Sequence, residues 1–322
     1  MKELFCHRKE DSFMKNIRVN GIDKEISSLV MGSDYFAPEK MEQVTEVLND
    51  YLEIGGNTID TAFIYAGGKS EEAIGIWMEE NKRRDDVIIL TKGGHPNAKG
   101  PQINKQAIDN ELKISLERLR TDYVELYALH RDDPNVPVGE ILEILNAHVE
   151  AGRIGAFGGS NWSFERLQEA NDYAEKHGLV GFSFSSPNLS LAKAQEPYWA
   201  GCVSVDDQIM SWHENSHMPL FSWSSQARGF FTGRFTPEDR SNEDLVRVFY
   251  NDENWERYRR AEQLAKEKGV ETIQISLAYV LNQGFPTAAI IGPQNKQEMV
   301  SCRQAADIRL TKDEIEWLDL RK

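Results

Sequence analysis

Short apolar runs rich in Val, Ile and Leu alternate along the chain with longer segments whose apolar positions recur at helical spacing. The short runs read as strands buried on both faces, and the longer segments as amphipathic helices packed over them. Strand runs fall at 28–31, 57–61, 87–91, 123–129, 154–158, 181–184, 220–223 and 288–291, and helical patterns at 38–52, 70–80, 104–119 and 138–151. Strands separated by helices pair in parallel, and eight such units close a barrel. The predicted fold is one (β/α)₈ barrel domain over residues 1–322, with 1–15 as an N-terminal extension. Two segments stand outside the repeat. Residues 17–26, centred on Asn20-Gly21, carry a hairpin signal and are placed to plug the barrel bottom. Residues 233–260, charged and containing Pro237-Glu238-Asp239-Arg240, read as a surface loop able to act as a lid over the active face.

Composition narrows the setting. No stretch approaches the roughly 18 apolar residues of a membrane span, and the charged N-terminus lacks the apolar centre of a secretory signal. A cytoplasmic protein is expected. Cys6, Cys202 and Cys302 are widely spaced and form no CxxC, so neither a disulfide framework nor a cysteine metal site is indicated. A formal net charge of −15 opposes general attraction to nucleic acid or anionic membranes, so an anionic ligand needs a local pocket.

Sites in such barrels lie at the C-terminal ends of the strands. Asp60, Lys92 and His130 each end a strand run, and Tyr65 follows Asp60 by five residues. Reducing a carbonyl by hydride leaves an alkoxide that needs a proton, and a tyrosine with an ordinary pKa near 10 must be tuned to supply it. A neighbouring lysine favours the phenolate, and an aspartate paired with the lysine keeps it charged. Taken singly, a strand-end Asp or Lys is more often a structural ion pair, and it is the combination that points to chemistry.

Asp60-Thr61-Ala62 with Tyr65, then Thr91-Lys92, then Leu129-His130-Arg131, together resemble the motif of the aldo-keto reductase family, and the likeness extends over about residues 15–320. The resemblance implies a nicotinamide-dependent oxidoreductase acting on a carbonyl or its alcohol, with Tyr65 as general acid supported by Lys92, Asp60 and His130. It also implies cofactor contacts. Ser160 and Asn161 correspond to the residues that hold the nicotinamide carboxamide, Ser186 stands where the family usually has a glutamine, and Trp223 corresponds to the stacking aromatic. Gly32 and Ser33 after the first strand, and Ser224, Ser225, Gln226, Arg228 and Gly229 in the segment after Trp223, complete that half. The last segment brings Ile291, Gly292, Gln294 and Lys296, with Ser301-Cys302 in place of the family's Glu-Asn pair at the adenine. NADP(H) is implied first. NAD(H) remains the alternative, because Gln294 occupies the position that usually presents a basic residue to the 2′-phosphate.

Tyr35, Phe36, Phe63, His95, Arg131 and Trp162 are expected at the mouth, with Asp132 beside them, and this mixture of aromatic planes and polar groups suits a sugar-like substrate. Two other readings are carried. The same barrel can serve as a dinucleotide-binding sensor or regulatory subunit without catalysis. His213-Glu214-Asn215-Ser216-His217 satisfies HExxH, the pattern of a zinc hydrolase, but Pro219 ends any helix there and the segment precedes a strand, on the outside of the barrel and toward its bottom. No metal is assigned, and the sequence does not give the oligomeric state.

Overall fold

In the computed structural model, which describes residues 14–322, eight strands pair only in parallel: β3 (Leu29–Gly32), β4 (Thr58–Asp60), β5 (Ile88–Gly93), β6 (Val124–Leu129), β7 (Ile154–Ser160), β8 (Phe184–Ser186), β9 (Leu220–Ser222) and β10 (Thr287–Ile291). Ala289 is in register with both Leu29 of β3 and Ser222 of β9, which closes the barrel. Alternate side chains point inward. Val30, Ile88, Leu90, Leu126, Ala128, Ala156, Phe184, Phe221 and Ala288 fill the interior, and their neighbours pack under the surrounding helices.

The helices are α1 (Met41–Glu53), α2 (Lys69–Asn81), α3 (Lys105–Leu119), α4 (Val138–Glu150), α5 (Phe164–His177), α6 (Asp207–Ser216), α7 (Glu243–Phe249), α8 (Asp252–Lys268), α9 (Thr272–Leu281), α10 (Lys296–Asp307) and α11 (Lys312–Leu318). None among the described residues is long and apolar enough to cross a membrane.

Before the barrel, β1 (Asn16–Ile17) and β2 (Ile26–Ser27) form the expected antiparallel hairpin. Ile17, Val19 and Ile26 join the interior cluster, so the hairpin stoppers the end away from the strand C-termini. Gly21, at φ +96°, lies so close to β7 that an added Cβ would sit 3.2 Å from the Gly155 carbonyl oxygen. Met14 is buried and the Ser28 amide donates to the Lys15 carbonyl at 2.8 Å, so these two residues belong to the fold. The rest of the expected extension, Cys6 included, lies outside the described residues.

Two expectations are corrected. The strand read at 181–184 joins the barrel only at its end, where the Ser183 amide donates to the Phe157 carbonyl at 2.9 Å and Phe184 is in register with Gly158. The side-chain amide of Asn171 takes the Phe182 N–H at 2.7 Å and donates to its carbonyl at 3.1 Å, removing that peptide from the ladder. The surface loop read at 233–260 contains α7 and the first half of α8, capped by the side chains of Asn242 and Asn251. Leu245, Val248 and Phe249 recur at helical spacing among charges and are buried, as is Trp255.

The seam between α2 and α3 tests how tightly the scaffold is built. An added Cβ on Gly75 would lie 2.1 Å from the Arg118 carbonyl oxygen. Gly75→Ala gains about 1 kcal/mol of helix propensity but forces backbone apart, which costs about 1–3 kcal/mol. A lower urea midpoint is expected, and an unchanged or higher one would show that α3 moves aside freely.

Candidate active site

Asp60 is the last residue of β4, Lys92 is the fifth of β5, and His130 follows β6 directly. Tyr65 reaches the same place by a different route. After β4 the chain continues alongside β5, with the Thr61 and Phe63 amides donating to the Leu90 and Lys92 carbonyls at 2.8 and 2.9 Å. It then turns sharply through left-handed Ala66, Gly67 and Gly68 into α2. The Lys92 ammonium therefore finds three acceptors: Asp60 Oδ1 at 2.5 Å, the Thr61 carbonyl at 3.0 Å and Tyr65 Oη at 3.3 Å. His130 meets the Tyr65 ring edge-on at 5.8 Å between centroids and His95 at 5.0 Å.

Burial governs the electrostatics. The Lys92 and Asp60 side chains are each 3% exposed. Burial lifts the Asp60 carboxyl above its usual range, opposed by Lys92. Burial also acts to lower the Lys92 pKa, but Asp60 and Tyr65 together overturn this and hold it above the ordinary value. Burial pushes the Tyr65 phenol up to about 12 despite the attraction of Lys92. Burial, then the charges of Lys92 and Arg131, hold His130 well below its ordinary value, so its imidazole is neutral near pH 7. The cluster thus offers one protonated phenol beside a fixed cation and a neutral imidazole.

A second ion pair braces it from behind. Arg118 of α3 donates to the Phe63 carbonyl at 2.9 Å and to Glu71 of α2 at 3.1 Å, and Glu71 accepts from Thr91 at 2.6 Å. The segment carrying Tyr65 is clamped by this network.

From the cluster, one continuous cavity of about 2320 Å³ runs to the start of α10. Gly32, Ser33, Ser160, Asn161, Trp223, Ser224, Ser225, Gln226, Arg228, Gly229, Ile291, Gly292, Gln294, Lys296, Ser301 and Cys302 all line it. Ser186 does not: it is fully buried and its hydroxyl donates to the Phe221 carbonyl at 2.8 Å, bonding β8 to β9. Asn161, at φ 59°, accepts from the Val203 amide at 3.1 Å and donates to Ser160 at 3.0 Å. The chain after Trp223 turns left-handed at Ser224, Ala227, Arg228 and Gly229. Lys296 extends to α1, where Asp50 and Glu53 accept from it at 3.0 and 3.2 Å.

Of the residues expected at the mouth, Tyr35, His95 and Arg131 line the cavity, Tyr35 beside the start of α10 with its hydroxyl donating to the Pro293 carbonyl at 2.5 Å, and Phe36, Phe63 and Trp162 do not. Sequence places a residue at a strand end without giving the direction of its side chain. Phe36 turns into the core at 1% exposure, Phe63 lies under Arg118 at 4.6 Å, and Trp162 packs on Phe182 at 4.8 Å. Asp132 is likewise committed, accepting from Arg166 at 3.2 Å. Tyr198, Trp199 and Cys202, from the long connection between β8 and α6, take up the wall instead. Their signal in the sequence is an aromatic pair set between Pro197 and Gly201 in an unpatterned stretch. Arg234 and Tyr258 line the cavity from the 233–260 segment, which contributes a wall.

The HExxH segment lies elsewhere. His213 is buried on α6 with Nε2 at 3.0 Å from Ser185 Oγ and Nδ1 at 2.8 Å from the Met218 carbonyl, so both ring nitrogens are taken. His217 sits past the helix end at φ 53°, off the helical face that the zinc motif requires.

The cavity fits an extended dinucleotide. It has the volume, polar groups at Asn161 and Ser160, and a tryptophan plane at Trp223, whose ring N–H is buried without a partner. Comparison with known proteins agrees. The sequence profile of the Aldo/keto reductase family matches residues 28–320. Relatives include the uncharacterized oxidoreductase YrpG of Bacillus subtilis, 26% identical over 91% of both chains. The putative aryl-alcohol dehydrogenase AAD14 of Saccharomyces cerevisiae is 26% identical over 91% of this chain and 82% of its own. A probable voltage-gated potassium channel subunit beta from rice is 27% identical over 83% of both. The thermostable aldo-keto reductase Tm1743, solved with the inhibitor epalrestat, superposes at a TM-score of 0.74 with 23% identity, over 95% of this chain and 99% of its own, and shares the fold.

The buried pair yields a stability prediction. Lys92→Met strands the Asp60 carboxylate without its cation, expected to cost about 3–5 kcal/mol at neutral pH. Without Lys92, burial raises the folded-state pKa of Asp60 further, so the loss shrinks as pH falls toward the unfolded-state value and grows as pH rises. Adding Asp60→Asn removes the stranded charge and regains most of the loss. Unfolding curves in which the double variant is no more stable than Lys92→Met would refute the account.

Proposed function

Because the chain belongs to the aldo/keto reductase family, and so is an NAD(P)-dependent oxidoreductase of carbonyl and alcohol groups, we propose that Tyr65 is its proton donor in reduction and its acceptor in oxidation. The observation that carries this is the Lys92 ammonium, 3.3 Å from Tyr65 Oη and 2.5 Å from Asp60. When bound, the dinucleotide supplies or takes the hydride.

The chain's own part is positional and electrostatic. Asn161 and Ser160 hold the carboxamide, and Trp223 faces the nicotinamide ring. The neutral His130 imidazole orients the carbonyl oxygen toward Tyr65 Oη. As charge builds on that oxygen, the phenol proton moves to it, and the phenolate left behind is held by Lys92, whose remaining donors are fixed on Asp60 and the Thr61 carbonyl. In oxidation the same proton returns.

For the substrate we propose a polyhydroxylated, sugar-like carbonyl compound. Aromatic planes at Tyr198 and Trp199 line the cavity together with Asp34, His95 and Arg131, a set that stacks on a sugar ring and meets its hydroxyls. Aldoses and sugar alcohols are expected to turn over with higher kcat/KM than aliphatic aldehydes of similar length. Turnover of the apolar aldehydes alone would overturn the assignment. The channel-subunit relative favours a second reading, a dinucleotide sensor on the same barrel, and that reading requires no turnover with any carbonyl.

Two further outcomes test the roles. Tyr65→Phe should lower kcat by about 10²–10⁴-fold, the usual contribution of a general acid, while dinucleotide binding measured by tryptophan quenching stays within about twofold. The pH profile follows from the shifts. The donor form of Tyr65 persists up to about 12 and His130 is already neutral well below its ordinary value, so kcat for reduction should be flat from about pH 6 to about pH 9. Oxidation needs the phenolate and should rise with pH across that range. A histidine-like inflection in the reductive kcat would contradict these assignments.

A further inference from the structure

Where the chain enters α10, the cavity is lined by residues of the segment Gly292–Ser301. A helix N-terminus normally attracts an external anion through its open amides and dipole. At α10 a carboxylate of the chain's own already stands at that end. Asn295 Oδ1 accepts from the Glu298 amide at 3.0 Å, and the Glu298 carboxylate folds back to accept from the Gln294 amide at 3.0 Å.

The neighbouring cations are also committed. Lys296 is held by Asp50 and Glu53, and Arg303 pairs with Asp307 at 2.7 Å. Ser301 donates to Glu271 at 3.1 Å. Gln294, which faces the same space, is neutral. The charge of Glu298 reaches across the pocket: after burial it is the next cause that raises the Cys302 thiol to about 12, and it contributes to raising the Tyr35 phenol.

We propose that this end of the cavity selects the dinucleotide that lacks a 2′-phosphate, NAD(H), and that Glu298 is the selecting residue. A carboxylate offers two acceptor oxygens to the two hydroxyls of a ribose, and these are charge-assisted hydrogen bonds. The same carboxylate repels a phosphate dianion placed on the 2′ oxygen, and among the described residues Lys266, Lys296 and Arg303 are each already paired with a carboxylate. The inference rests on reading the cavity as a dinucleotide site and adds the choice between the two dinucleotides.

The test is equilibrium binding of NADH and NADPH to the full chain by titration calorimetry, for the wild type, Glu298→Gln and Glu298→Arg. Glu298 is exposed, so both variants are expected to fold. The wild type should bind NADH at least about tenfold more tightly than NADPH, as expected for gaining one charge-assisted contact. Glu298→Gln should shrink that ratio severalfold, and Glu298→Arg should invert it, with NADPH binding that weakens as salt is raised. Equal or tighter NADPH binding by the wild type would overturn the selection and leave the dinucleotide site standing, as would a ratio unchanged in both variants. Absence of binding by either dinucleotide would overturn the selection and the site together.

Discussion

Lys92 and Asp60 form an ion pair taken almost wholly out of water, and much of the surrounding structure follows from what that requires. A buried ammonium must satisfy three donors. Here they go to Asp60, to the Thr61 carbonyl and to Tyr65 Oη, so the third donor is what aims the tyrosine. Replacing a buried pair with well-packed apolar residues is often neutral or stabilising, and stability alone gives little reason to keep one. Its effect is electrostatic: a fixed cation beside a phenol that burial would otherwise push still higher.

That arrangement demands a rigid support, since Tyr65 sits on a connection rather than on a strand. Rigidity comes from the far side of the same segment. Arg118 bonds the Phe63 carbonyl and is itself held by Glu71, which also takes the Thr91 hydroxyl. Thr91 and Lys92 are adjacent on β5 and point to opposite sides, so one strand anchors both networks. The left-handed Gly68 lets the chain pass directly over the Arg118 guanidinium, where an added Cβ would lie 2.3 Å from Cζ. One ion pair faces the cavity, the other faces the helices, and the loop is gripped between them.

The barrel and the cluster were legible because both are written locally. Buried parallel strands appear as continuous apolar runs, and a polar residue closing such a run marks the open end of the barrel, which is how Asp60, Lys92 and His130 stand out. Side-chain direction is not written locally. Phe36, Phe63 and Trp162 occupy suitable chain positions yet pack into the core or against Arg118, while Tyr198 and Trp199 arrive from a connection without periodicity. The 233–260 segment was legible in part: Asn242 and Asn251 are caps with apolar residues at helical spacing after them, but the density of charge concealed a narrow buried stripe. Ser186 shows a further limit, because whether a short hydroxyl faces a ligand or bonds the neighbouring strand depends on pairing across the barrel.

Charge along the cavity gives the strongest argument about what lies in it. The chain as a whole is acidic, at −15, so an anion enters only where local cations remain uncommitted. Arg228 lies over the rings of Tyr198 and Trp199 at 4.7 and 5.3 Å, and Arg234 bonds only the Thr232 hydroxyl; no carboxylate among the described residues pairs with either. Both line the cavity, at and just after the left-handed turn that follows Trp223. At the α10 end the balance reverses, since Lys296 is paired with two carboxylates and the Glu298 carboxylate accepts from the Gln294 amide just before the helix. Uncommitted positive charge therefore lies beside the turn after Trp223, and at the start of α10 it is matched by carboxylates.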